Sequence, residues 1–414
     1  DYGVSWDEPH IYNYGEYALD SYRMFLHPQD IGDYFSDHNL KYYGPAHFMY
    51  TRATSSLLQN VNPKWSTAVA SHFVYYLTFL LGTLSLYLLS KRWMSTWAAA
   101  GSTLLFATQP LIWGHAYINP KDAPFMAYFI ISIYFGLRIF DDAPQLKTNK
   151  IILAGIALGL TTSMRVIAPM AGVLVLIYGF IKTPRLAIKA APFYAGITII
   201  IMYLSWPYLW KAPVVNFFES IKLAANFPFE GGATLFMGKA FPIEQLPLRY
   251  IPSLLAFQLS EPAIALIIIG AFITIIATIK EKKWEPTLFF VGWFVVPAAW
   301  LIASRSPLYD NARQLLFLWP PLFIVAGIGF DKLLQIKNSS LWKSILIFLA
   351  LLPSIYSCIQ LHPYQYIYYN SIVSGVGGAA REYELDYWGT SFKEAMEYIN
   401  ENAAPGTQVV VTGS

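Results

Sequence analysis

The segment Trp6-Asp7-Glu8-Pro9-His10 sets two adjacent carboxylates in a polar stretch beside a tyrosine-rich run. Paired carboxylates suit a general base or a ligand for a divalent cation. Successive helical residues point about 100° apart, so the two cannot do the same job. One would face a substrate while the other holds a cation or an arginine. The competing reading is dipole stabilisation at a helix start, just before Pro9, a favoured first-turn residue. His10 is placed to assist. Further ionisable groups stand at Lys41, Lys121-Asp122, Arg165, and Asp310 with Arg313. A guanidinium matches a phosphate bidentately, which makes Arg165 and Arg313 candidates for an anionic substrate. Asn119-Pro120 is a turn signal, and Asp122 is placed to cap the helix that follows. Tyr309 and Asp310 flank Arg313, and a plain Asp310–Arg313 or Asp310–Arg305 ion pair is the simpler account of that cluster.

The elements that must position these groups lie in a bilayer. The chain is 56% hydrophobic, 17% aromatic and only 13% charged, against about 25% charged residues in a soluble domain. The net charge of +3 says nothing about nucleic acid, and no nucleic-acid partner is expected of a chain of this class. Cys358 is the single cysteine, so no intramolecular disulfide can form. A spanning helix needs about 20 mostly apolar residues. Runs of that kind lie near 67–90, 95–113, 123–140, 151–164, 166–181, 191–207, 251–279, 287–303, 315–334 and 344–361.

Charge divides the pair 151–164 and 166–181. Lys147 and Lys150 precede it, and Lys182, Arg185 and Lys189 follow it. Positive loops mark the cytoplasmic side, so the chain goes out and returns as a tight hairpin turning near Arg165. By the same rule Lys91-Arg92, Lys280 with Lys282-Lys283, and Lys332 with Lys337 and Lys343 mark inside loops. Segments 1–66, 114–122, 208–250, 304–314 and 362–414 are then outside, and a further span is expected ahead of the first residue. The candidate charges all fall on that outer side. Ionisable groups at membrane depth are costly and tend to be functional or paired.

Three regions follow. Residues 1–66 form an outer loop whose stretch from His10 to Phe25 suits helices lying in the interface. Residues 67–361 form the transmembrane domain. Residues 362–414 read as the start of a small extracytoplasmic α/β domain. There Ser391 with Glu394 predicts a capped amphipathic helix to Asn402, Pro405-Gly406 a turn, and Gln408 to Thr412 a strand. Loop 208–250 is long enough to be functional or disordered.

Four stretches resemble a known group. Trp6-Asp7-Glu8-Pro9-His10 resembles the Asp-Glu motif in the first outer loop of the protein O-mannosyltransferases. Asn119-Pro120-Lys121-Asp122-Ala123-Pro124-Phe125, Tyr309-Asp310-Asn311-Ala312-Arg313-Gln314-Leu315-Leu316-Phe317 and Tyr383-Glu384-Leu385-Asp386-Tyr387-Trp388-Gly389 are similar to stretches in bacterial polyprenyl-phosphate-dependent glycosyltransferases of the same superfamily. The resemblance implies an all-α polytopic membrane protein of the GT-C fold with juxtamembrane helices in its outer loops. It also implies a first span ahead of the Asp-Glu loop. It implies that Asp7 is the catalytic base with Glu8 beside it, that Asp122 lines the site, and that Lys41, Lys121, Arg165 and Arg313 hold the lipid phosphate. His10, Asn119, Tyr309 and Asp310 are further site candidates. Where the O-mannosyltransferases carry a His-Pro-Pro-type stretch, this sequence reads Asp37-His38-Asn39-Leu40-Lys41-Tyr42-Tyr43-Gly44-Pro45, a departure that bears on a protein acceptor.

The expected activity is transfer of a monosaccharide from a polyprenyl-phosphate carrier to an acceptor hydroxyl, with inversion, at the periplasmic or outer face of a bacterial inner membrane. The acceptor is a glycan, a lipid or a protein. No cofactor is obligatory, and a divalent cation is an option beside paired carboxylates. A transporter would instead favour broken helices near mid-membrane and two related halves, and no repeat is visible. A lipid-binding scaffold would not require Asp7.

Overall fold

The computed structural model describes residues 1–27, 40–225, 232–337 and 339–410. The Asp37–Asn39 part of the departing first-loop stretch lies outside them. Helix α1 (Glu8–Asp20) and a 3-10 turn (Ser21–Met24) precede a second short turn (Leu40–Tyr42) and α2 (Ala46–Val61). The expected juxtamembrane pair is therefore present, α1 packed on α2 and α2 on α3 (Thr67–Ser90). Gly44 permits one close approach here. A Cβ on it would lie 1.7 Å from the Ser163 carbonyl oxygen, so only glycine lets this loop press against the turn that carries Arg165.

The bundle continues through α4 (Thr96–Ala107), α5 (Pro110–Ile118), α6 (Asp122–Arg138), α7 (Thr148–Thr162), α8 (Pro169–Lys182) and α9 (Pro184–Leu204). Helix α10 (Pro213–Ala225) and a hairpin of β1 (Ala233–Phe236) and β2 (Lys239–Pro242) fill the second long loop. Then come α11 (Tyr250–Gln258), α12 (Glu261–Glu281), α13 (Glu285–Phe289), α14 (Val296–Ser304), α15 (Pro320–Leu334) and α16 (Ser340–Gln360). Helices α13 and α14 are joined by a π-helical stretch into one rod. Among the described residues α3, α9, α12, the rod Glu285–Ser304 and α16 are long and apolar enough to cross a membrane. Their exposed faces carry residues such as Phe193, Ile268, Phe272, Phe348 and Ile359. Such apolar surface is lipid-facing in a chain of this composition. Buried Trp206, Trp293 and Trp319 fill the interior.

Two expected spans are broken. The run 95–113 divides at Thr108-Gln109, because Pro110 drives Gln109 into an extended conformation. The run 251–279 divides at Leu259-Ser260, where the backbone is also extended. The breaks are pinned to each other. The fully buried Gln109 amide donates to the Gln258 carbonyl at 2.9 Å and accepts from the Ser260 N–H at 3.1 Å. The backbone groups of the second break, the Gln258 carbonyl and the Ser260 N–H, are thereby satisfied by a side chain from the first, as a low-dielectric interior requires. Gln109→Ala strips both partners at once and is expected to cost about 1–3 kcal/mol, read as a lower thermal midpoint in detergent. An unchanged midpoint would remove Gln109 from this role.

The 91–95 turn, the α6–α7 loop and the junction of α8 with the rod meet at one end of the bundle. Arg92 pairs with Asp141 there at 2.5 Å and Lys182 with Glu285 at 3.0 Å. The Asp122, Arg165 and Arg313 turns meet at the opposite end. After α16, α17 (Gly375–Ala379) and α18 (Phe392–Asn402) form. Helix α18 matches its expected span, but Ser391 makes no side-chain cap, because its hydroxyl bonds the Asp386 carboxylate instead. Among the described residues Gln408–Val410 pair with no strand, and Val411-Thr412 lie outside them. The sheet lies instead in the second long loop, where β1 reaches the C-terminal segment through a Phe236–Tyr383 bridge.

Candidate active site

Asp7 sits directly before α1. The helix starts there because Pro9 fits a first turn and Ser5-Trp6-Asp7-Glu8 has capping-box spacing. The Ser5 N–H donates to Glu8 Oε2 at 2.7 Å, while the Ser5 hydroxyl donates to the Ile118 carbonyl at 3.2 Å, tying this start to the end of α5. Glu8, expected among the catalytic groups, is fully buried. It accepts from the Tyr12 hydroxyl at 2.7 Å and pairs with His72 Nε2 of α3 at 2.8 Å. It anchors α1 to the bundle and leaves its neighbour as the accessible carboxylate. The Asp7 side chain is 34% exposed, with Lys121 Nζ 2.8 Å from Oδ2.

The α5–α6 connection supplies that lysine. Asn119 Oδ1 accepts from the backbone N–H groups of Lys121 at 2.9 Å and Asp122 at 2.7 Å. Asn119 therefore does the capping expected of Asp122. The Asp122 carboxylate, 3% exposed, is free for ion pairing. It binds Arg165 from the α7–α8 turn and Arg313 at 3.2 Å. Arg165 also covers the rings of Tyr43 and Phe125, at 5.8 and 5.6 Å from their centroids.

Arg313 closes the cluster. Its second arm reaches Asp310 at 2.6 Å, and its plane lies 5.0 Å from the Tyr309 centroid and 5.1 Å from that of Trp388. Asp310 and Asn311 are both left-handed, with φ of 56° and 58°, a conformation these short polar residues tolerate better than most. Asn311 is held there by donating to the Glu384 carbonyl at 2.8 Å and accepting from the Tyr369 hydroxyl at 2.8 Å. The simpler sequence reading of Asp310, pairing with Arg313, is the geometry observed.

Three carboxylates, Asp7, Asp122 and Asp310, thus interleave with three cations, Lys121, Arg165 and Arg313. Burial alone would raise the Asp7 carboxyl, but the Lys121 and Arg313 charges outweigh it and hold the group below the ordinary aspartate range. Burial would likewise lower Lys121, and Asp7 reverses this. Asp310 goes the other way, since burial raises it and Arg313 only partly offsets the rise. Among the described residues no group of three or more His, Cys, Asp and Glu side chains converges as a metal site.

Lys41 stands apart from the cluster, its ammonium over the rings of Tyr42 and Tyr208. His10 is exposed on α1. Sequence reasoning passed over His72, His115, Tyr43 and the individual roles of Tyr387 and Trp388. The Ser5–Glu8 spacing was the available signal for a structural Glu8, and the Tyr383–Gly389 stretch contains the last two. Gly389 shows why that stretch reaches the site. Its φ is +64°, and a Cβ on it would meet the Trp6 indole nitrogen at 2.8 Å.

A sequence profile of the dolichyl-phosphate-mannose-protein mannosyltransferases matches residues 3–217, more than half of the chain and the part that carries Asp7, Asp122 and Arg165. No curated protein matches the sequence. Among solved structures, ArnT from Cupriavidus metallidurans in the apo state superposes with a TM-score of 0.54 at 13% identity, over 92% of this chain and 70% of that one. The same protein bound to undecaprenyl phosphate gives 0.49 at 13% identity, over 92% and 71%. The fold is thus that of the GT-C glycosyltransferases, as the four motifs led one to expect. The chain belongs to the dolichyl-phosphate-mannose-protein mannosyltransferase family and is a multi-pass membrane glycosyltransferase.

Proposed function

We propose that the protein moves a monosaccharide from a polyprenyl-phosphate carrier to an acceptor hydroxyl, with inversion, and that Asp7 is the base. The observation that carries this is a partly exposed carboxylate beside three cations drawn from separate turns at one end of the bundle. Asp7 removes the acceptor proton as the acceptor oxygen bonds to the anomeric carbon. The bond from that carbon to phosphate oxygen breaks, and its electron pair leaves with the phosphate. The leaving group is a phosphate monoester with a second pKa of about 6, so it needs cations rather than a general acid. Lys121 and Arg165 are the nearest candidates. Arg313 contributes its Nε–H, which is buried and unpartnered among the described residues. Retention would require a second carboxylate as nucleophile. Glu8 is committed to His72 and Tyr12, and Asp122 to two arginines, which favours inversion. The basic loops gathered at the far end of the bundle favour a site facing the periplasm or cell exterior, with the protein in a bacterial inner membrane.

Lys121 now pairs with Asp7, so donor binding has a consequence. A phosphate that draws Lys121 away frees the base and raises its basicity. The acid limb of kcat/KM, which reports the free enzyme's base, is expected to lie below the ordinary aspartate range and to move to higher pH in Lys121→Met. An unmoved limb would separate Asp7 from Lys121 or from the titration. Purified protein given radiolabelled polyprenyl-phosphate sugars should release label to acceptor or water. Absence of any donor turnover, with solute uptake into proteoliposomes instead, would replace this reading with a transporter.

A further inference from the structure

We infer that the Tyr387 hydroxyl donates a hydrogen bond to the phosphate of the lipid-linked donor, aimed by a one-way relay through Asn119 and His115. This rests on the donor class proposed above. The direction of the relay follows from hydrogen-bond inventory alone. Asn119 Oδ1 faces two backbone N–H groups, which fixes the amide orientation. Its Nδ2 therefore carries both hydrogens to its other partners, Asp122 Oδ2 at 3.1 Å and His115 Nδ1 at 3.2 Å. His115 Nδ1 must then be bare, which puts the imidazole proton on Nε2. Nε2 lies 2.9 Å from the Tyr387 oxygen and donates to it.

The tyrosine oxygen is thus an acceptor toward His115, and its own hydrogen must point elsewhere. Among the described residues no other hydrogen-bond partner meets this hydroxyl. The neighbouring Tyr366 hydroxyl is already committed to Asp386 and Thr390. Asp310 and Arg313 both act electrostatically on the Tyr387 hydroxyl, and the following Trp388 carries the Arg313 guanidinium at 5.1 Å, which sets the loose proton beside the cationic cluster. A hydroxyl donor held there by a preset relay suits an anionic oxygen whose charge grows as the carrier departs. Asn119 and His115 are positioning residues in this arrangement, and Tyr387 touches the substrate.

The test compares the affinities of farnesyl phosphate and farnesol for the purified full chain, and reads their ratio. The ratio comes from one sample, so a fall in the folded fraction cancels. Tyr387→Phe removes only the hydroxyl and is expected to lower the phosphate preference about tenfold. Asn119→Asp reverses the relay without touching the tyrosine. A carboxylate there can only accept, which forces the proton to His115 Nδ1 and makes Nε2 an acceptor that captures the Tyr387 hydrogen. The same loss is expected. Tyr366→Phe, whose hydroxyl is spent within the C-terminal segment, should leave the ratio unchanged. A ratio within twofold of the parent in Tyr387→Phe overturns the inference, and one unchanged in Asn119→Asp overturns the relay. A parent protein that does not prefer the phosphate over the alcohol overturns the donor reading instead.

Discussion

Asp7→Asn is expected to lower kcat/KM by about two to four orders of magnitude while the protein still folds. Asparagine keeps the shape of the side chain and one oxygen for Lys121, but it cannot take a proton from an acceptor hydroxyl. The fold is insulated because the Asp7 side chain is 34% exposed and partly exposed ion pairs contribute at most about 1 kcal/mol. The link between pH and stability has the matching sign. A carboxyl held below its unfolded value adds stability above that value, which is lost as pH falls through the folded one. In Asp7→Asn that increment disappears, so its acid unfolding should begin from a slightly flatter profile. Steady-state kinetics on monodisperse protein decide the matter. Activity within tenfold of the parent would take the base role from Asp7 and leave it a partner of Lys121.

Arg313→Ala should act chiefly on stability. The guanidinium is 5% exposed in its side chain and bridges Asp122 and Asp310, which themselves are 3% and 19% exposed. Its loss leaves two poorly solvated carboxylates without a shared counter-ion, a defect that costs about 3–5 kcal/mol. Arg313→Lys should recover little, since an ammonium cannot span both carboxylates as a planar fork does. Adding Asp310→Asn to Arg313→Ala should restore part of the stability by removing one of the unpaired charges. Thermal unfolding in detergent measures all three. A parent-like melting curve combined with a raised donor KM would make Arg313 a substrate ligand only, with Arg165 left to neutralise Asp122.

The same cluster shows which of the candidate residues the fold brings together. Asp7, Lys121, Asp122, Arg165, Asp310 and Arg313 were legible because a charge is conspicuous in apolar sequence and the positive-loop rule put every one on the same side. Their pairings were not legible. Asp122 looked like a cap, and the cap is Asn119. Glu8 looked like half of a reactive doublet, and its oxygens face Tyr12, His72 and the Ser5 amide. Lys41 looked equal to the other cations, yet it rests on Tyr42 and Tyr208. Each of these partnerships turns on side-chain direction, which charge and spacing leave open.

Hydropathy and flanking charge by themselves determined that this chain is a polytopic helical bundle and that residues 151–181 turn back near Arg165. Those properties depend on local composition, because transfer free energy is summed along a single segment. The tertiary structure alone decided that two spans break and that Gln109 joins the breaks. It also decided that four turns spread between Asp7 and Arg313 share one set of ion pairs, and that His115 meets the Tyr387 hydroxyl beside them. These depend on which dipoles and charges meet across the bundle, and a buried polar group takes its meaning from the partner that satisfies it.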